Sequence, residues 1–192
     1  MKNPFLDATP KVILIMDDSF SVSVQDQFKF ALFMNNCMTE KRVPWSDESQ
    51  TILPFALSDM CKPQSSDLTP LDLEEVKKIT LQGKFGFGGD ITLAFKNIQK
   101  NFKDNEISTI LFYTDLCDKP PSDCLFGKEV DIIFLIPDLS RIEYTSKTQI
   151  EAFKKIGKVM VFEELEAIKI KEKLEKDLPL PESSEKKTTF RL

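Results

Sequence analysis

The sequence predicts an α/β fold: a doubly wound, mostly parallel central sheet flanked by helices. Two observations carry that prediction. Apolar runs of strand length recur along the chain, and segments of helical periodicity or loop separate them. The runs are also apolar without alternation, as expected of parallel strands covered on both faces. The fullest of them opens the stretch KVILIMDDSFS at 11–21 and runs into two carboxylates and two serines. In open α/β sheets ligands sit at the carboxyl ends of the strands, which is where Asp17, Ser19 and Ser21 emerge.

The elements follow in order. A strand at 11–16 is succeeded by a helix over 22–38, with Val24, Phe28 and Leu32 at helical spacing. Phe30, Phe33, Met34 and Cys37 complete a wide apolar stripe, and Ser21 or Ser23 is the N-cap. A polar loop containing Pro44 leads to a strand at 50–57, where Pro54 points to an edge position or a bulge. Residues 58–72 read as loop, 71–78 as one or two helical turns, and 79–81 as a short strand. The stretch GKFGFGGD at 83–90 holds four of the six glycines and opens an amphipathic helix at 91–102. A second buried strand at 108–115 ends, like the first, in an aspartate. A loop at 116–128, a strand at 130–137, a helix at 148–156 closed by Gly157, and a strand at 158–162 complete the domain. A charged helix follows at 163–176. The division is thus an α/β domain over 1–164, the charged helix at 165–176, and a Pro-, Ser- and Lys-rich disordered tail at 177–192.

Composition narrows the function. The 192 residues suffice for one domain with a proper core. A net charge of −5 argues against nucleic-acid binding. The 16 Phe residues read as core filling, since most lie inside apolar runs. There is no histidine, which removes Ser-His-Asp and Cys-His catalysis, His-ligated zinc and the HExxH helix together. The four cysteines form no CxxC pair and read as free thiols of a cytoplasmic protein. The N-terminal residues lack the apolar core of a signal peptide, and no apolar run approaches the ~18 residues of a membrane span. The glycine-rich stretch matches neither phosphate-binding fingerprint, GxxxxGK[ST] or a GxGxxG directly after the first strand.

What remains are three loops drawn to one edge of the sheet. They carry Asp17, Ser19 and Ser21; Asp90 and Thr92; and Thr114 with Asp115. Carboxylates and hydroxyls without His or paired Cys suit a hard cation such as Mg²⁺ or Mn²⁺. Taken singly, an Asp-Ser pair after a strand is an N-cap and a glycine-rich loop is a turn. The second strand ending in Asp makes the combination more than that.

Asp17-x-Ser19-x-Ser21 after an apolar strand resembles the DxSxS signature of von Willebrand factor A (VWA) domains. GFGGDIT resembles the glycine-rich loop that carries that family's metal-binding threonine, and YTDLCDKPP its strand-end TDG region. The order of TILPFAL, GGD, LFYTD, VDIIFLIPD and IGKVMVF is similar to the VWA-like domain of uncharacterised bacterial proteins described as metallopeptidases. The likeness covers 11–164; the peptidase label does not carry over, because the HExxH helix is absent. The resemblance implies a metal-ion-dependent adhesion site in a non-enzymatic module, with a partner's carboxylate completing the cation's shell. It implies metal-binding roles for Asp17, Ser19, Ser21 and Asp115. Gly89 stands in the threonine's place, so Asp90 or Thr92 takes its role or the site is weakened. Family habit further suggests an AAA ATPase of the MoxR class as protein partner, with no nucleic acid and no membrane. The alternative reading is a Mg²⁺-dependent phosphatase or phosphotransferase of the haloacid-dehalogenase kind. That class also places an aspartate nucleophile after its first strand, but it wants DxD, and position 19 is Ser.

Overall fold

The computed structural model describes residues 9–62, 67–84, 86, 89–121, 125–138 and 145–163. The elements are β1 (Lys11–Met16), α1 (Val24–Glu40), β2 (Thr51–Ala56), α2 (Leu57–Met60), α3 (Leu73–Gln82) and α4 (Ile91–Asn101). A 3₁₀ turn (Asp104–Glu106), β3 (Ile107–Tyr113), β4 (Asp131–Ile136), α5 (Lys147–Lys154) and β5 (Lys158–Val161) follow. The five strands form one sheet in the order β2-β1-β3-β4-β5, every pair parallel. This is the predicted doubly wound α/β fold.

All six residues of β1 are buried, because the strand lies between β2 and β3 and is covered on both faces. Successive side chains divide between two cores, as the period of two requires. Ile13, Ile15, Phe112 and Phe134 join Ala94, Phe95 and Ile98 of α4 and Phe153 of α5. Val12, Leu14, Met16, Tyr113 and Leu135 join Phe30, Phe33 and Met34 of α1 and Val76 and Ile79 of α3. Lys11 is buried as well, and its ammonium reaches the Glu106 carboxylate at 3.5 Å.

β2 is an edge strand, in agreement with Pro54. The carbonyl of Pro54 accepts a 2.8 Å hydrogen bond from Leu71 N–H, outside the ladder to β1. Ser23 is the cap of α1, its hydroxyl accepting from Asp26 N–H at 3.1 Å.

Three expectations need correction. Residues 73–82 form one helix, not a turn followed by a strand. Asp72 and Glu75 close a reciprocal capping box, and Val76 and Ile79 bury one face, so helix propagation overrides the β-branched look of Ile79 and Thr80. The segment after β2 is not all loop, since α2 occupies its start. Gly157 does not close α5 in a left-handed conformation. A Cβ there would lie 2.4 Å from the Ile132 carbonyl oxygen, so close backbone approach is what calls for glycine. Of the helix expected at 163–176 only Glu163 is described, and the rest of it and the tail at 177–192 lie outside the described residues.

The winding direction reverses between β1 and β3, since the chain places β2 on one side of β1 and β3, β4 and β5 on the other. In doubly wound sheets that reversal opens a crevice at the strands' carboxyl ends. Asp17 and Asp115 stand there.

Candidate functional site

The first loop is built by hydrogen bonds that divide the two aspartates after β1. Asp17 N–H continues the ladder to Tyr113 O at 2.9 Å, which holds the residue beside β3. Its carboxylate is fully buried. One oxygen accepts from Ser19 N–H at 3.0 Å and the other from the Thr114 hydroxyl at 3.0 Å. Asp18 turns towards α2, where its carboxylate accepts from both the N–H and the hydroxyl of Ser58. The Asp18 carbonyl accepts from Gly86 N–H at 2.7 Å, tying the glycine-rich stretch to this turn. Glycine is required at 86, because a Cβ would come within 2.6 Å of the Asp18 carboxylate. The turn so fixed presents Ser19 and Ser21 with their hydroxyl oxygens 2.9 Å apart.

The second loop leaves β3. Thr114 N–H bonds Leu135 O at 2.9 Å, and its hydroxyl accepts from Leu116 N–H at 3.1 Å while donating to Asp17. Asp115 is buried, with Oδ1 accepting from Cys117 N–H at 3.0 Å. Its Oδ2 is buried without a hydrogen-bond partner among the described residues. Such an atom is costly unless something fills its coordination. Leu116 adopts φ 59°, a left-handed conformation that costs a non-glycine residue about 1–2 kcal/mol. It stands where the TDG pattern has glycine, and burial of its side chain in the core offsets the cost.

The third loop does not supply the threonine. A Cβ at Gly89 would lie 2.6 Å from Leu57 Cγ and 2.9 Å from Cys61 Sγ, so no side chain fits there. Asp90 instead caps α4, accepting from Leu93 N–H at 3.2 Å, and Thr92 lies in that helix's first turn. Among the described residues no hydrogen bond joins Asp90 or Thr92 to Asp17, Ser19, Ser21 or Asp115. Hydrogen bonds thus tie Asp17 to Ser19 in the first loop and to Thr114 in the second, while Asp90 is engaged as the cap of α4.

Electrostatics mark the same place. Burial pushes the Asp17 carboxyl up to about 6, against the pull of the Ser19 and Thr114 hydrogen bonds, and the Asp115 charge adds to the rise. Burial also raises Asp118, followed by the charges of Asp115 and Asp90. Asp118 thus feels the charges of both the second and the third loop; the sequence did not single it out, and its spacing of three from Asp115 was the available signal. Burial pushes the Cys61 thiol up to about 11, with Asp90, Asp18 and Asp118 contributing, so it stays protonated at neutral pH.

Among the described residues no three Cys, Asp or Glu side chains are arranged as a metal cluster. Mg²⁺ commonly uses only one or two protein carboxylates and keeps several waters. The Ser19 and Ser21 hydroxyls and the Asp115 oxygen that has no partner among the described residues are donors of that chemistry, with both Asp17 oxygens taken by Ser19 and Thr114. At the opposite end of the sheet, a cavity of about 500 Å³ is lined by Lys128, Lys154, Lys155 and Lys158. Lys154 and Lys158 there pair with Glu151 and Asp131. The lysines at the end of α5 also offset its dipole, which is a sufficient account of that charge. Among the described residues no helix is long and apolar enough to cross a membrane. No family model and no curated protein matches the chain.

Proposed function

We propose that the chain is a VWA-like protein-interaction module, not an enzyme, with an adhesion-type Mg²⁺ or Mn²⁺ site at the carboxyl edge of its sheet. The observation that carries this reading is the buried Asp115 Oδ2, without a partner among the described residues, beside Asp17 at the switch point between β1 and β3. The Ser19 and Ser21 hydroxyls and Asp115 are the residues that would hold the cation, with Asp17 organising them through Ser19 and Thr114. Water takes the place of the threonine that Leu57 excludes. A bound cation supplies a positive charge to which a carboxylate of the partner protein is attracted. The resemblance extends this reading to a cytoplasmic partner of the MoxR-type AAA ATPase class.

Thermal melting tests the reading. Metal at ten times its Kd adds about 1.4 kcal/mol, which raises Tm by roughly 3–6 °C in a chain of this size. Mg²⁺ or Mn²⁺ is expected to produce that rise over EDTA, and Asp17→Ala to remove it. Identical melting with EDTA and with millimolar metal would sink the reading.

A further inference from the structure

Four carboxylates at this edge act on one another in a chain: Asp17 with Asp115, and Asp118 with both Asp115 and Asp90. Among the described residues no lysine or arginine pairs with any of them. Lys62, whose ammonium feels the Asp18 charge, is taken by Asp59 instead, as is Lys84. Three of the four have settled roles. Asp17 is closed by Ser19 and Thr114, Asp90 caps α4, and Asp115 keeps Oδ2 buried without a partner among the described residues. Asp118 has none, since among the described residues its half-buried carboxylate makes no hydrogen bond or salt bridge.

The backbone of Asp118 is nonetheless held. The Gln149 side chain of α5 donates to the Asp118 carbonyl at 3.0 Å and to the Leu116 carbonyl as well. Leu116, at φ 59° and buried in the core, fixes the same loop from within. The loop so anchored faces the place of the missing threonine. The Cys61 thiol stands 2.9 Å from where a Cβ of Gly89 would lie and donates to the Asp90 carbonyl at 3.4 Å, and the Asp118 charge reaches that thiol. A partly buried carboxylate beside two like charges is unfavourable unless a positive charge offsets it. The orphaned Asp115 oxygen, on a residue only 2% exposed, points independently to a ligand among the same groups.

We propose that Asp118 is a positioning residue of the cation site and takes over the part of the missing threonine through the water that replaces it. The inference rests on the cation reading above. Among the described residues no three carboxylates are arranged to hold one cation directly, so Asp118 acts beyond the metal's own donors. Mg²⁺ and similar hard cations keep several waters, and a carboxylate in that outer layer orients them and adds negative charge. Removing such a partner costs about 10–100-fold in metal affinity.

Mn²⁺ alone is the probe, with binding read from loss of the free ion's electron paramagnetic resonance signal. Asp118→Asn should raise Kd about tenfold or more. Its Tm in EDTA should stay level or rise, because the amide ends the repulsion from Asp115 and Asp90. Asp118→Glu keeps the charge and should bind more tightly than Asp118→Asn. Asp131→Asn removes the same charge at the opposite end of the sheet and should leave Kd unchanged, since salt screens charges beyond roughly 8–10 Å. An unchanged Kd in Asp118→Asn, an equal loss in Asp131→Asn, a glutamate no better than asparagine, or a lower Tm in EDTA overturns the proposal. If the unaltered chain binds no Mn²⁺, the cation reading falls and takes this role with it. If it binds and Asp118→Asn binds equally well, only the role of Asp118 falls.

Discussion

Two strands of this sheet end in aspartate at neighbouring positions, and the two carboxylates are treated differently. Asp17, after β1, is buried with each oxygen in a hydrogen bond. Asp115, after β3, is buried with one oxygen bonded and the other without a partner among the described residues. The same residue type at equivalent strand ends is therefore a brace in one case and an open donor in the other. The next residue but one serves both alike, Ser19 N–H donating to Asp17 and Cys117 N–H to Asp115. The cause is the Thr114 hydroxyl, which closes the second oxygen of Asp17 and has no counterpart at Asp115 among the described residues.

Three substitutions break or sharpen that contrast. The largest effect belongs to Asp17→Asn. Asp17 ionises near pH 6 in the fold against 3.8 ordinarily, so the fold binds its proton more tightly than the unfolded chain does. Stability is lost as pH rises from about 4 through 6, and the full cost above that, roughly 3 kcal/mol, is removed by the neutral amide. Urea unfolding at pH 7.5 should show Asp17→Asn stabilised by up to that amount, with the difference vanishing at pH 4. Parallel profiles for the two proteins would deny Asp17 its role as a buried charge. Next comes Ser58→Ala, which strips the hydroxyl bond from the Asp18 carboxylate. A bond to a buried charge is worth about 2 kcal/mol, so Tm should fall by roughly 4–8 °C. No fall would mean that Asp18 does not anchor the turn. The smallest stability effect is expected for Asp115→Asn, under about 1 kcal/mol, since Oδ2 has no bond to lose. That variant should also lose the metal-dependent rise in Tm. If it keeps the rise, the bare oxygen is not what meets the cation.

The sequence was read most securely where one signal sufficed. Continuous apolar runs place the buried strands, and Pro54 marks its strand as an edge. Where two signals competed, the stronger came from outside the local window. The β-branched pair Ile79 and Thr80 reads as strand until the capping box at Asp72 and the buried face of α3 are seen. Val24, Phe28 and Leu32 read as core because periodicity shows a face but not what covers it. At the crevice, Asp17, Ser19, Ser21 and Asp115 were legible from two strand ends. Asp18, Ser58 and Asp118 were not, since their roles depend on contacts between loops distant in the chain. The displacement at Gly89 was visible as a departure from the expected order, but its cause, the Leu57 side chain, needs three dimensions.

Pro54 has a consequence for how this protein keeps to itself. In a strand, the N–H and C=O of one residue point to the same side. The Pro54 carbonyl faces away from β1 and is taken by Leu71, so the amide hydrogen that proline lacks is missing from the open side and not from the ladder. An incoming strand from another molecule meets an absent donor and an occupied acceptor at the middle of β2. The far edge, β5, is only four residues long and begins with Lys158, paired with Asp131. Among the described residues both margins of the sheet thus resist templating a cross-β stack.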